Sequence, residues 1–578
     1  MRFPKSQWAL AVVVSAFALI AAPEWQQTAP APEVSTQEDV AVFQSKVTLI
    51  EVPVVVRDKN GKAVGTLRQE DFQLFDKGKP QVISRFSVEK SGGGKVIASV
   101  MASEAERAAE EKDKGDKGGS PPVIAPDHFV GLLFDDVHAK FADLVYARKA
   151  AQQFVASSLK PADRAAIFTT SGQIVLDFTD DRDVLNQTLM KLAPHPMGHE
   201  TEMRCPAVSL YQADQMLNFH DALAIGVAVG DYLKCFPHSA YEAALAASLA
   251  RARAVLEEGQ HETFATIVSV KEVVRRMAEM PGQRTLILAS PGFFLMPDQH
   301  QDEGPAIDLA IRSGVVINAL DVQGLVAPAG FNAENGGFDL RKDTLDRNAR
   351  IAQSDVLEDL TSGTGGKLVQ NQNDLTAGVQ RLGAAPEVFY LLGFSPQNLK
   401  TDGTFHSLKV SLNASLKTTT GLSVEARRGY YAPTHLATAE ENAKEEITQA
   451  LFSHDEMNDI PVEMNTRFFK ASETEARLSV TSRVDVRKLR FRKADDRNVN
   501  DVRVVCALFD RNGIYVQSVS KTIQMRLLDG ALQNDKLSGG ISVRSDFTVP
   551  PGTYVIRLVV RDAEGETMTA QNSAVRIP

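Results

Sequence analysis

Two carboxylates stand side by side at Asp135 and Asp136, with His138 two residues further on, directly after the apolar run Phe129 to Phe134. Carboxylate oxygens beside an imidazole nitrogen are donors for a divalent cation such as Mg2+ or Ca2+. With a bound metal, the same trio would suit a hydrolase. The competing reading has Asp136 capping the next helix, Asp135 taking up loop amides and His138 facing solvent. His195 and His199, with Met197 and Cys205 nearby, offer softer donors, but Pro196 and Gly198 make this stretch a loop whose histidines need no metal. Ser290-Pro291-Gly292 lacks the flanking pattern of a nucleophile elbow. Gly363, Gly365 and Gly366 precede a strand, and no Lys-Ser/Thr ends the run, so they do not cradle a phosphate. No Ser or Cys nucleophile with a neighbouring base is legible, and the chain reads as a binding protein, not an enzyme.

The elements that must position these side chains alternate between strand and helix. Phe129 to Phe134 is apolar throughout, as in a strand buried on both faces. Leu144, Ala147, Ala151, Phe154 and Leu159 follow at helical spacing. Strands are predicted at Ala165–Thr169 and Ile174–Phe178, then a helix at about 182–192 with Asp180 and Asp181 as N-cap candidates. A helical insertion over about 209–258 precedes a separate helix over 262–280, stopped by Pro281-Gly282. Further strands at Thr285–Ala289, Val315–Leu320 and Lys367–Val369 alternate with helices, one of them over 306–313. Such alternation implies a doubly wound, mainly parallel sheet. Asp135, Asp136, His138, Thr169, Thr170, Ser290 and Asp321 all fall at or just past strand ends and so converge on one face.

β segments flank this α/β unit. Residues 46–90 carry apolar residues on both strand phases and an Asn60-Gly61 hairpin turn, and residues 387–433 hold three more β segments. Both are too short to stand alone, and they are expected to pair into one sandwich into which the α/β unit (128–386) is inserted. The charged stretch 91–127 reads as a flexible linker, residues 434–455 as a helical linker, and 456–578 as an Ig-like β-sandwich.

The net charge of −10 over 578 residues, with no basic run interleaved with aromatics, argues against nucleic acid as partner. Arg2 and Lys5 before the apolar stretch Trp8 to Ala22 read as a signal peptide (1–22) followed by a disordered lead (23–45), which makes the chain exported, periplasmic or extracellular. An uncleaved anchor is the alternative, though about 20 apolar residues are usually needed to span a bilayer. No later stretch is apolar enough to cross. Cys205 and Cys235 are candidates for a disulfide, leaving Cys506 alone; three buried thiols are the other reading.

Several strings in fixed order resemble the VWFA-related domain family of bacterial exported proteins, which carry a von Willebrand factor type A (VWA)-like domain. They are VPVVVRDKNGKAV and LRQEDFQLFDKGKPQVISRF within 52–86, GLLFDDVH (131–138), RTLILASPGF (284–293), GVVINALDVQGL (314–325), TGGKLVQNQNDL (364–375), and FYLLGFSP through ARRGYYAP (389–433). The resemblance spans about 45–433. It implies a Rossmann-like fold and a role in protein–protein contact, adhesion or envelope assembly, with the partner left unnamed; a purely structural envelope role is the further alternative.

The resemblance also implies a metal site, Asp-x-Ser-x-Ser after the first strand with a Thr and a later Asp. Here the motif reads Asp135-Asp136-Val137-His138-Ala139, so Val137 and Ala139 replace both serines. The later Asp position is Pro291, and the Thr candidate is Thr201. A degenerate site is therefore expected, with no cofactor unless a cation uses Asp135, Asp136 and His138. The binding face comprises Asp135, Asp136, His138, Thr169, Thr170, Thr201, Ser290 and Asp321.

Overall fold

The computed structural model of the chain describes residues 34–39, 50–90, 96–97, 99–100, 123–196, 205–296, 300–325, 340–396, 401–413, 421–433, 438–453, 456–529 and 540–578. The expected signal peptide, together with Met197, His199 and Thr201, lies outside the described residues.

The amino-terminal part is all β: β1 (Val34–Asp39), β2 (Ile50–Arg57), β3 (Phe72–Asp76), β4 (Lys79–Gln81) and β5 (Arg85–Lys90). Short pieces follow at β6 (Val96–Ile97), β7 (Ser99–Val100) and β8 (Val123–Ile124). Two expectations are corrected here. Within the supposed disordered lead, β1 pairs antiparallel with residues 520–525 of the carboxyl-terminal region. Within the supposed flexible linker, β6 pairs with β8, and β7 runs parallel to residues 574–575. The polar β1 pairs through backbone groups, which need no apolar side-chain pattern, and the apolar pieces β6, β7 and β8 are only two residues each, too short to stand out beside the charged stretch between them.

The central part holds β9 (His128–Phe134), α1 (Phe141–Ser157), β10 (Asp163–Thr169), β11 (Val175–Thr179), α2 (Arg182–Leu189), α3 (Leu210–Leu217), α4 (Ala222–Cys235) and α5 (Tyr241–Ala278). It continues with β12 (Gln283–Ser290), α6 (His300–Arg312), β13 (Val315–Asp321), α7 (Leu340–Thr364), β14 (Leu368–Val369) and α8 (Leu375–Leu382). The six strands form one mixed sheet in the order β11-β10-β9-β12-β13-β14. Only β11 runs antiparallel to its neighbour. Apolar runs without alternation let each strand feed two cores. Leu133, Leu286, Leu288 and Ile317 pack on one face with Ile267 and Val274 of α5 and Leu360 of α7. Leu132, Ile287 and Leu320 pack on the other with Leu144 and Phe154 of α1 and Leu189 of α2. Helices thus cover both faces of the sheet.

One boundary differs from expectation. Residues 241–278 form a single helix of 38 residues instead of an insertion followed by a second helix. Gly259, which looks like a break, sits inside it, because a Cβ there would lie 2.6 Å from the side chain of Leu210. The glycine is a contact point for α3, not a stop. The half of α5 beyond the sheet, with α3, α4 and the start of α7, builds a small helical cap around Ala213, Met216, Ala224, Val227 and Leu345. The Cys205–Cys235 disulfide closes this cap, with Cα atoms 6.5 Å apart.

After the sheet come β15 (Val388–Phe394), β16 (Phe405–Leu412), β17 (Ser423–Ala426) and β18 (Gly429–Tyr431). They pair with the amino-terminal strands in two sheets, β17-β2-β15-β5 and β18-β16-β3-β4. Val52, Val54, Leu74, Tyr390, Leu392 and Leu408 fill the space between. Across it, Tyr430 donates to Asp76 at 3.0 Å, and His406 Nδ1 lies 3.1 Å from the same carboxylate, so residues from both chain segments share one buried network.

The rest comprises α9 (Ala439–Leu451), β19 (Met457–Asn458), β20 (Val462–Lys470), β21 (Ala476–Val484), β22 (Arg492–Ala494), β23 (Arg497–Asp510), β24 (Tyr515–Leu527), β25 (Ile541–Val549), β26 (Gly552–Asp562) and β27 (Thr567–Ile577). An eight-stranded sheet, whose main path runs β1-β24-β23-β26-β27-β19, faces the three-stranded β20-β21-β25 across a core of Leu478, Val480, Val504, Leu508, Phe547 and Leu558. Helix α9 is a wedge. Its Ala450 carbonyl accepts from the buried Arg557 at 2.9 and 2.6 Å, while the Phe452 carbonyl accepts from Gly282 N and Arg284.

Candidate functional site

The strand order reverses between β9 and β12, and in open sheets of this kind the crevice outside the carboxyl ends of the two diverging strands is where ligands sit. Asp135 follows β9 and Ser290 ends β12. The Asp135 amide donates to Ala289 O at 2.9 Å and the Thr170 amide to Phe134 O at 2.9 Å, so three strand ends are pinned together. Asp135, Asp136 and Ser290 are fully buried, and Thr170 is 2% exposed.

Every carboxylate oxygen here is engaged by the protein. Asp135 Oδ1 accepts from Thr170 Oγ1 (3.0 Å) and the His138 amide (3.2 Å), and Oδ2 from Ser290 Oγ (2.6 Å). His138 Nδ1 lies 3.0 and 3.1 Å from the two oxygens. Asp136 turns the other way. Its Oδ1 accepts from the Ser171 amide (2.9 Å) and Thr170 Oγ1 (3.2 Å), while Oδ2 accepts from Ser171 Oγ (2.6 Å) and lies 2.9 Å from His195 Nδ1. The His195 amide also donates to Asp136 O at 2.7 Å.

Burial alone would raise the Asp135 pKa, but the charge and hydrogen bonds of His138, with the Ser290 hydroxyl, outweigh it and hold the carboxyl below its ordinary range. Burial would lower that of His138, yet Asp135, with a smaller push from Glu262, raises it. The two form an ion pair, with the imidazole stacked on Phe293 at 5.4 Å.

This arrangement corrects three expectations. Asp136 does not cap the next helix, whose N-cap residue is Lys140; it is consumed by Ser171 and His195. His138 does not face solvent, since its side chain is 17% exposed and held between Asp135 and Phe293. Asp135 and Asp136 share the Thr170 hydroxyl, but only Asp135 is bonded to His138, while Asp136 is taken by Ser171 and His195. Among the described residues no group of three His, Cys, Asp or Glu side chains has the placement to hold a metal ion.

Of the other expected face residues, Asp321 lies beside Ser290 in register, but its Oδ1 accepts from the Gln323 amide (2.9 Å) and it takes no part in the network. Burial raises its pKa. Thr169 accepts from the Ile174 amide at 3.1 Å and steadies the following turn. Sequence reasoning missed Ser171, Phe293 and the partnership of His195 with Asp136. The Ser171 signal was present, a third hydroxyl after Thr169-Thr170 at a strand end. His195 reaches the site from across a helix, and spacing cannot show that.

The loop after β12 turns at Gly292, where φ is +83° and a Cβ would lie 2.4 Å from Gln353 O. It then packs under the cap, with Thr263 Oγ1 donating to Phe294 O (3.2 Å) and Tyr211 edge-on to Phe294 (5.5 Å). The cap therefore braces the loop that follows Ser290.

No family model matches the chain, and no curated protein does. Among solved structures it is similar to an aerotolerance-related membrane protein from Bacteroides fragilis, at 13% identity and TM-score 0.22, over 44% of this chain and 96% of that one. It is equally similar to the conserved hypothetical protein BatB from Bacteroides thetaiotaomicron, at 13% identity, TM-score 0.22 and the same coverage. Three domains of the type V pili tip protein Mfa5 from Porphyromonas gingivalis match at 9% identity and TM-score 0.21, over 86% of this chain and 78% of that one. At such scores the fold rests on its own strand order and register. No described helix is long and apolar enough to cross a membrane.

Proposed function

We propose that the chain is an exported, non-enzymatic binding protein whose VWA-like domain engages a protein or cell-envelope partner through the carboxyl-end face of the mixed sheet, with no resident metal. One observation carries this reading. The buried aspartates at the strand-order reversal are fully hydrogen-bonded by Thr170, Ser171, Ser290, His138 and His195, so the site is a rigid, internally satisfied platform. The donor set does not fit the ion that the family resemblance implies. Val137 and Ala139 are buried and bring no oxygen, and Pro291 brings none at the later acidic position. An imidazolium on Asp135 supplies the positive charge instead. Against a metal-dependent hydrolase we weigh that His138 is bonded to Asp135 and that Asp136 is bonded to Ser171 and His195.

The test is retention of envelope-fraction proteins on the purified chain, with and without EDTA, beside elemental analysis of the same preparation. The expected result is EDTA-insensitive retention that weakens at least tenfold in a double variant of the half-exposed face residues, His195→Ala with Asp321→Lys. A stoichiometric divalent cation that disappears in Asp135→Ala would sink the metal-free reading. Retention unchanged in the double variant would remove the face.

A further inference from the structure

A concave feature lies at the end of the mixed sheet opposite the aspartates. A cavity of about 1170 Å³ opens between the amino ends of β12 and β13, helix α9 and the outer face of the sheet β17-β2-β15-β5. That volume slightly exceeds the roughly 300–1,000 Å³ of common small-ligand pockets, so it has room for one organic ligand and some water. Pro53 and Val55 of β2 and Phe389 and Leu391 of β15 line it and are half-buried. One phase of β2, Val52, Val54 and Val56, fills the sandwich, and the other sets Pro53 and Val55 between Glu51 and Arg57 along the cavity wall.

The charged groups on the walls differ in how they are matched. Arg57 and Lys367 share Glu425 at 3.1 and 2.8 Å. Glu51 is taken by Arg85 at 2.8 Å. Arg427 is another case. It lines the same cavity, is 5% exposed, and donates from Nη2 to the Glu51 backbone oxygen at 2.7 Å. Among the described residues no carboxylate is hydrogen-bonded to it, although the Glu51 charge acts on it from nearby, and its solvent-shielded Nε has no partner. Burial pushes its pKa down to about 10, so it stays charged at neutral pH. A buried guanidinium with an unused donor is costly, and a carboxylate is the group whose two oxygens match its fork. Glu51 and Glu425 on the same walls disfavour a ligand of higher negative charge, such as a phosphate dianion.

We propose that this crevice is a binding site for an amphipathic organic monocarboxylate, its apolar body lying on Pro53, Val55, Phe389 and Leu391 and its head group on Arg427. The site is independent of the aspartate face. Isothermal titration of the full chain with decanoate tests it, with decanol as the uncharged match and with two variants. Decanoate is expected to bind one to one, and decanol about tenfold more weakly, the loss of one charge-assisted contact. Arg427→Gln is expected to lose about the same factor. Leu391→Asp alters a half-buried wall position instead of a buried one; it is expected to abolish binding while leaving circular dichroism and the thermal midpoint unchanged. Absence of heat with the wild-type chain, equal affinity for decanol, or wild-type affinity in folded Leu391→Asp would each overturn the proposal.

Discussion

At the residue scale, the ion pair of His138 with Asp135 ties stability to pH in two directions. His138 has its pKa raised above the ordinary 6.5, so its contribution is complete below 6.5 and disappears as pH climbs through the raised value. Asp135 has its pKa depressed below the ordinary 3.8, so its contribution is complete above 3.8 and disappears as pH falls through the depressed value. Both are fully in force between 3.8 and 6.5. Urea titrations at pH 5, 7 and 9 are expected to show wild type losing stability relative to His138→Gln as pH rises. Parallel pH profiles for the two proteins would refute the pairing. Ser290→Ala removes a 2.6 Å hydrogen bond from a fully buried carboxylate and is expected to cost about 1–3 kcal/mol by the same titration.

At the element scale, Asp180 and Asp181 were alike as caps in the sequence, and the structure separates them. Asp181 accepts from the amides of Asp183 and Val184 and caps α2, while Asp180 faces Arg164 and Arg511. Asp181→Ala is expected to cost about 1 kcal/mol in denaturant unfolding, the worth of one cap, whereas Asp180→Ala leaves α2 intact. The central strands of the mixed sheet were legible because β9 and the middle of β10 and β12 are apolar runs bounded by polar turns, whereas β11 and β13 carry Asp177 and Asn318 inside them. The pairing of the two flanking β segments was legible because neither has enough strands to close a core. The continuity of α5 was not, since Gly259 is a helix breaker in sequence and a packing contact in space. Nor was β1, whose six residues show no alternation of apolar and polar positions. In the site itself, the strand-end residues Asp135, Thr170 and Ser290 were readable from position alone. The partners reaching Asp136 from 35 and 59 residues away were not.

At the scale of the whole molecule, the carboxyl-terminal sandwich docks on the amino ends of the mixed sheet. The hairpin Asp510–Ile514 sits against Phe129, where a Cβ on Gly513 would lie 2.6 Å from the ring. Arg164 donates to Arg511 O at 3.1 Å, and Arg511 reaches Asp180 at 3.1 Å. Asp180→Ala is expected to loosen this joint without unfolding either partner, seen as faster proteolysis near residue 511 with an unchanged thermal midpoint of the α/β part. Removing the disulfide that closes the cap, with Cys205→Ala and Cys235→Ala, is expected to cost about 3 kcal/mol in calorimetry, because the bond spans 30 residues.

One more property follows from where β1 lies. It and β27 belong to the same eight-stranded sheet, so the first and last described strands of the chain enter one element. Mechanical tension applied between residue 34 and residue 578 would run through the rungs joining β1, β24, β23, β26 and β27 and bypass everything between. The α/β part and its aspartate face would hang outside the line of force, shielded from load until that sheet tears.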